Sequence, residues 1–361
     1  MSKPSRCVQA DVVVIGAGLH GCLAALDLER AGRRTVVVAS AGDRAGPCLG
    51  HVPSGPALSY VDAIARWGRP GARELWELQG ESHSALRALL DEWGRDCAYR
   101  GAGGFALATE RPEGLALGES EDLLREDGFA GEFLDGFMLE ARFAVRGFAA
   151  GYWSASEAEL DGRALAAAAL AAARGSGAAL REAPVERVEL SRGGVVAVTP
   201  EGEVRAPLAL LASVDASLLV PWFHDRIEVV ERRGIRLPAR DALPVPSPAR
   251  AQGGRAGWTT TAGEISLETI DADPAGFAAR HLPAPAGPRG AVRSGPAGLS
   301  RDGLPWVGPL PDLPVVAALG WHDLAWAPLL SRWAVSALLT GRDATPPRLR
   351  AARDASDMLS R

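Results

Sequence analysis

An α/β fold, built on a Rossmann-like nucleotide-binding unit and interleaved with an α+β portion, is predicted by three features of this 361-residue chain. The first is a β-branched run, Val12–Ile15, that feeds Gly16-x-Gly18-x-x-Gly21 and then a helical stretch. The second is the fully apolar run 208–212, of the kind a buried parallel strand shows. The third is the alternation of helical segments with clusters of short β segments, which places pieces of a second sheet between pieces of the first.

In the opening unit each glycine has a separate task. Gly16 makes the tight turn, Gly18 lets the backbone approach a pyrophosphate, and Gly21 lets the helix sit close to the strand. The intervening Ala17, Leu19 and His20 complete the loop, and phosphate charge meets the free amides and positive dipole end of the helix. Gly32 stops that helix, and residues 35–38 form the second strand.

Further along, residues 40–56 read as a Gly- and Pro-rich loop, and Tyr60–Trp93 as two helices separated near 68–71. Residues 98–109 alternate and carry glycines, as strands of a different sheet do, and 118–142 read as acidic and helical. An Ala-rich helix over 160–174 is opened by Asp161 and closed by the glycines at 175–177. Short β segments follow at 185–190, 195–199 and 203–206, with turns at Gly193-Gly194 and Glu201-Gly202. Residues 227–270 again read as β, with a turn at Ala262-Gly263. The stretch 283–311 reads as loop-rich, and 325–340 as a closing helix.

Composition narrows the function classes. With 47% hydrophobic and 23% charged residues the chain is an ordinary globular one, long enough for two domains. A net charge of -5 leaves no footprint for nucleic acid. Lys3 is the only lysine in a chain rich in Ala, Gly and Arg, the mark of a GC-rich genome, so lysine leaves the list of catalytic bases. Cys7, Cys22, Cys48 and Cys97 show neither CxxC spacing nor a disulfide framework, and no metal site is expected. The apolar run at 12–15 is too short for a signal segment or a membrane span, which leads us to expect a cytoplasmic location.

Four stretches together resemble the D-amino-acid oxidase and glycine oxidase superfamily of FAD-dependent oxidoreductases. They are 11–38, then 90–109, then 177–212 with its Pro184-Val185, and Ser300-Arg-Asp302-Gly303-Leu-Pro305-Trp-Val-Gly308 followed by Gly320 and a helix. The resemblance implies a glutathione-reductase-like FAD-binding domain at 1–80, 150–212 and 290–361. A substrate domain on a mostly antiparallel sheet would occupy 81–149 and 213–289. It makes Asp302, Gly303, Pro305 and Gly320 flavin contacts, with Val185, Ala212 and the loop Trp321-His322-Asp323-Leu324 also against a noncovalent FAD. The implied reaction is oxidation of a C–N bond in a small-molecule amine or amino acid to an imine that hydrolyses, with O2 or another acceptor reoxidising the flavin.

Several positions depart from the family pattern. The second strand should end in an acid that holds the ribose, and Ala39 stands there, with Ser40 and Asp43 as nearby substitutes and Arg44 raising a 2′-phosphate alternative. Ser213-Val214 replaces a small Ala-x-Gly turn, and the loop after Gly320 is short. Arg293, nine residues before Asp302, is the first candidate to clamp a substrate carboxylate, with Arg301 as its fallback. His322 is a candidate catalytic contact on the flavin, and Trp258 a candidate wall of the substrate pocket, whereas Trp326 and Trp333 read as packing. A positive charge that speeds reaction with O2 would come from His51, His322 or Arg293, and His51 is also a candidate attachment point for the flavin. A flavin hydroxylase, for which no second nicotinamide motif is present, and a degenerate, non-catalytic relative are the alternatives.

Overall fold

The computed structural model describes residues 6–40, 49–191, 193–214, 218–239, 245–261, 263–283, 289–319 and 324–353. The chain opens with β1 (Arg6–Gln9), β2 (Val12–Ile15), α1 (Leu19–Arg30), β3 (Thr35–Ala39), β4 (His51–Val52) and α2 (Tyr60–Trp93). Then come β5 (Gly104–Ala108), α3 (Arg111–Glu126), β6 (Gly131–Asp135), α4 (Gly136–Phe143), β7 (Ala150–Ser154), β8 (Ala158–Glu159) and α5 (Gly162–Gly175). Five strands follow: β9 (Ala179–Glu182), β10 (Arg187–Ser191), β11 (Gly194–Thr199), β12 (Gly202–Ala206) and β13 (Leu208–Leu211). The rest is β14 (Ile227–Pro238), β15 (Ala249–Ala251), β16 (Ala256–Thr261), β17 (Glu264–Thr269), α6 (Pro274–His281), β18 (Arg289–Ser300), β19 (Trp306–Pro309), β20 (Val315–Leu319) and α7 (Ala327–Thr340).

A six-stranded sheet in the order β19-β20-β13-β2-β3-β9 carries the nucleotide-binding unit, all parallel except the β19–β20 pair. Both of its faces are covered, which is why β2 and β3 are buried at every position. On one face Val12, Val14 and Val37 meet the helices α1, α2, α5 and α7, and α1 packs against both α5 and α7. On the other face Val13, Ile15, Val36 and Val38 meet a four-stranded sheet, β1-β12-β11-β10. The result is the layered arrangement of a glutathione-reductase-like domain, as the fold prediction has it.

The second part is an eight-stranded sheet, β18-β14-β17-β16-β15-β5-β7-β6, antiparallel except at the β15–β5 pair. Strands β7 and β18 belong to it, although the segments that carry them read from sequence as part of the nucleotide-binding half. Its cross-strand register decides which face each residue occupies. The row Ile235, Leu267, Trp258, Ala249, Phe105 points into a core closed by α4 and α6. One residue out of phase, the row Gly234, Glu268, Gly257, Arg250, Ala106, Tyr152 faces the opposite way.

Two expectations change. The acidic helix over 118–142 is instead α3, a strand and α4: Asp127 and Gly128 (φ +90) end α3, and 131–135 pair with β7 along their whole length. The loop-rich stretch 283–311 contains β18 and β19, because β14 and β20 supply their partners in a segment whose own glycines and prolines argue against strands. The turns at Gly193-Gly194 and Glu201-Gly202 fall where the sequence put them, Ala262 of the expected Ala262-Gly263 turn lies outside the described residues, and Tyr60–Trp93 is broken at Gly68, whose φ of 71 and ψ of 161 precede Pro70.

Candidate functional site

Where β2 ends, Gly16 has φ +115, and a Cβ there would lie 2.7 Å from the Ala212 backbone carbonyl. A Cβ on Gly21 would overlap the Gly16 carbonyl oxygen, so both glycines are required by close backbone approach. Gly18 is different. It is the N-cap of α1 with φ -70 and ψ 177, and a Cβ built there meets nothing within 4 Å. Among the described residues nothing fills the position beside Gly18 at the free amides of α1, which leaves room there for a pyrophosphate.

The neighbours of the cradle are apolar or closed off. Ala17, Leu19 and Ala39 are buried, and Ala212 donates its amide to Ile15 O at 2.8 Å. His20 has its Nε2 buried with no hydrogen-bond partner among the described residues, and burial lowers its pKa to about 4. Its carbonyl accepts from Ser331 Oγ at 3.0 Å, which ties α7 to the first turn of α1. Ala39 offers no carboxylate, but the register of β3 with β9 sets Glu182 directly beside it. Ser40 follows Ala39, and Val185 packs at the edge of the core between the two sheets.

Asp302 and Gly303 form a turn, with Gly303 at φ +73 and its amide bonded to Ser300 O at 3.2 Å. The Asp302 side chain points inward. Arg353 Nε and Nη2 grip its two oxygens at 2.9 and 3.1 Å, and Arg353 Nη1 donates to Pro305 O at 2.8 Å. Both side chains are 3% exposed, so the carboxylate is committed to Arg353, and any cofactor contact of this segment is left to its backbone. Burial lowers the Arg353 pKa, and the Asp302 charge opposes that.

Between this turn and the eight-stranded sheet runs a seam of two adjoining cavities, about 210 and 370 Å3, which share Ala57, Leu58 and Gly253. Leu58, Leu107 and Leu117 line the smaller one, with Arg250 from the outward row of the sheet. Arg250 donates to Gly55 O at 2.5 Å and lies 3.9 Å from Glu157 Oε1. Glu157 is 2% exposed, and its other oxygen sits 2.7 Å from His51 Nε2, while Ser54 donates both its amide and its hydroxyl. Burial alone would raise the Glu157 pKa, but the His51 and Arg250 charges and the Ser54 amide win, and it falls below the ordinary value. Two residues on, Glu159 is fully buried against Arg100, Ser247 Oγ at 2.7 Å and the Thr260 amide at 2.8 Å. These two carboxylates fasten the β4–β8 pair to the large sheet. No sequence signal marks them, since glutamates flanking an alanine in Ser154-Ala-Ser-Glu157-Ala-Glu159 read as exposed.

The structure separates the candidates for substrate contact. Trp258 is fully buried, donates Nε1 to Pro246 O at 2.5 Å and packs against Phe148, so it is core and not a pocket wall. The one-residue phase of the register is the reason: Trp258 and Arg250 belong to opposite faces. Arg293 lies exposed on β18, an edge strand, and does not line the seam, whereas Arg301 does. His51 is held by Glu157, and Leu324, Trp326 and Trp333 pack in or against the helical core. Gly320, Trp321, His322 and Asp323, like Asp43 and Arg44, lie outside the described residues.

The profile of the family described as FAD dependent oxidoreductase (DAO) matches residues 11–337. The chain belongs to this family. It is an FAD-dependent amine or amino-acid oxidoreductase, and the glycine cradle fits that cofactor. Glycine oxidase from Geobacillus kaustophilus superposes with a TM-score of 0.78 at 18% identity, covering 96% of this chain and 99% of that one. NikD, an unusual amino acid oxidase, gives 0.74 at 19% identity over 95% and 97% of the two chains. L-proline dehydrogenase from P. horikoshii gives 0.67 at 15% identity over 94% and 96%. At such identities these structures establish that the DAO-family chain shares their fold. No described helix is long and apolar enough to cross a membrane.

Proposed function

We propose that the protein oxidises the C–N bond of a primary or secondary amine that carries a carboxylate, an amino acid or an N-substituted glycine, to an imine that then hydrolyses. The observation that carries this is the open cradle at Gly18 in a family member whose Asp302-Gly303 turn borders a cavity against the eight-stranded sheet. FAD, when bound, would supply the hydride acceptor, with O2 or another acceptor as the final oxidant. The chain's own residues do the binding and orientation. The α1 amides take the pyrophosphate, and Glu182 takes the ribose hydroxyls that Ala39 cannot, because the register sets it beside that position. Arg301, at the end of β18, offers a guanidinium fork to the substrate carboxylate, and Leu58, Leu107 and Leu117 keep water away from the reacting carbon.

The first experiment is a visible absorption spectrum of the purified protein, native and after acid precipitation, followed by anaerobic addition of amino acids and N-methylglycine. Flavin bands released by acid, and bleached by one of these amines, are the expected result. A protein that stays colourless after incubation with FAD would sink the proposal and favour the non-catalytic alternative, and bleaching by NAD(P)H alone would favour a hydroxylase.

A further inference from the structure

The larger cavity of the seam collects more positive charge than one carboxylate can balance. Arg66 reaches it from the first half of α2, Arg255 from the tight Gly253-Gly254 connection before β16, and Arg301 from the end of β18. Among the described residues no carboxylate forms an ion pair with any of the three. Asp302, the nearest acid in sequence, is spent on Arg353, and it offers the cavity only its carbonyl, which accepts from Arg66 Nη1 at 3.2 Å. Glu228 is the one remaining acid in the lining. Three guanidinium groups against one carboxylate leave a net charge of two, with the Asp302–Arg353 pair cancelling itself. Ser300 Oγ, also in the lining, is buried and has no hydrogen-bond partner among the described residues. A buried hydroxyl without a partner is a cost that a ligand oxygen would remove.

Guanidinium groups recognise carboxylates by paired N–H donors, and uncompensated like charges around one cavity favour a ligand of opposite and matching charge. We infer that this cavity is an anion subsite for two charges and that the preferred substrate is an amine bearing two carboxylates, an amino dicarboxylate. The inference rests on the amine-oxidising function proposed above and narrows it: Arg301 takes one carboxylate, and Arg66, Arg255 and Ser300 receive the second. A substrate with a single carboxylate would leave a positive charge unmatched beside the reacting amine.

The test has a binding arm and a reaction arm on the purified flavoprotein. Calorimetric titration with succinate, acetate and inorganic phosphate at low ionic strength should show succinate binding at least about tenfold tighter than either other anion. Arg66→Gln and Arg255→Gln should each weaken succinate about tenfold, and Arg255→Lys less, because lysine keeps the charge but not the fork. In the reaction arm, anaerobic flavin reduction compares aspartate with asparagine and glutamate with glutamine in both enantiomers. The amides preserve size and remove only the second charge. A lower KM for the dicarboxylates, and a larger rise in that KM than in the amide's on Arg255→Gln, is expected. Succinate no tighter than acetate, or indifferent to all three substitutions, overturns the inference, as does tighter binding of phosphate. Bleaching by monocarboxylic amino acids with no succinate preference would remove the subsite and leave the amine-oxidising function standing. Arginine-dependent succinate binding with no bleaching by any amine would do the reverse.

Discussion

Gly16, Gly18 and Gly21 look alike in the motif and differ in what surrounds them. Gly21→Ala drives a Cβ into the Gly16 carbonyl and should unfold the turn, whereas Gly18→Ala adds a methyl to open space at an ordinary φ. The expected outcome for Gly18→Ala is apoprotein stability within about 1 kcal/mol of the parent, with a clear loss of FAD affinity, measured by urea unfolding and by flavin fluorescence titration. Equal FAD affinity would place the pyrophosphate elsewhere. Glu157 gives a pH prediction. Its carboxyl is held below the ordinary value of 4.5 in the folded protein, so its stabilising contribution is present above about pH 4.5 and is lost as pH falls through the lowered value. Glu157→Gln should flatten that part of the acid limb and cost about 3 kcal/mol at neutral pH, since His51 and Arg250 then lose their buried partner. Urea midpoints measured from pH 3 to 7 decide it; an unaltered acid limb would show that the carboxylate is solvated. At this scale the glycines were legible because a backbone requirement leaves a residue type behind. Glu157 and Glu159 were not, because only their distant partners make burial tolerable.

At the scale of elements, hairpins were the readable part. The closures between β11 and β12 and between β16 and β17 carry their own glycines at φ +129 and +75, so the turn chemistry announces them. Strands β6 and β18 were not readable: β6 gains its structure from β7 across the intervening α4, β18 gains its own from the more distant β14, and β18 holds three glycines and a proline in its twelve residues. The Asp302–Arg353 pair joins two such distant pieces, fastening the segment after β18 to the chain beyond α7. Asp302→Asn leaves Arg353 buried without its charge partner and should cost about 3 kcal/mol or more, whereas the double variant Asp302→Leu/Arg353→Met should recover part of that loss. Chemical denaturation of the three proteins checks it, and a single variant within about 0.5 kcal/mol of the parent would mean that the pair contributes nothing. Trp258 teaches the same lesson from within one strand, because its role follows from register and not from its identity as an aromatic residue.

For the molecule as a whole, the cavities lie where the loop and helix at 57–66 and the Asp302-Gly303 turn meet the eight-stranded sheet, while the FAD cradle belongs to the six-stranded sheet. A ligand bound only by the folded state stabilises that state by mass action, so FAD at a hundredfold excess over its Kd should add about 2.7 kcal/mol, with an unfolding temperature that climbs as FAD is added. Differential scanning calorimetry over a series of FAD concentrations tests this; an unfolding temperature indifferent to FAD would contradict cofactor binding by the native state. The amino-acid order alone determined the βαβ unit, the glycine cradle, the interleaving of two sheets and the family, because strand burial, turn glycines and a phosphate-binding loop each impose local residue types. It offered Arg293 and Trp258 for substrate contact, and those assignments depended on facts that no local pattern contains. Which face of the large sheet Trp258 and Arg250 occupy, that Asp302 is spent on Arg353, that Glu182 stands beside Ala39, and that Arg66, Arg255 and Arg301 converge were all decided by tertiary structure. The physical reason is common to them: strand register and long-range charge pairing are set by contacts between segments tens to hundreds of residues apart.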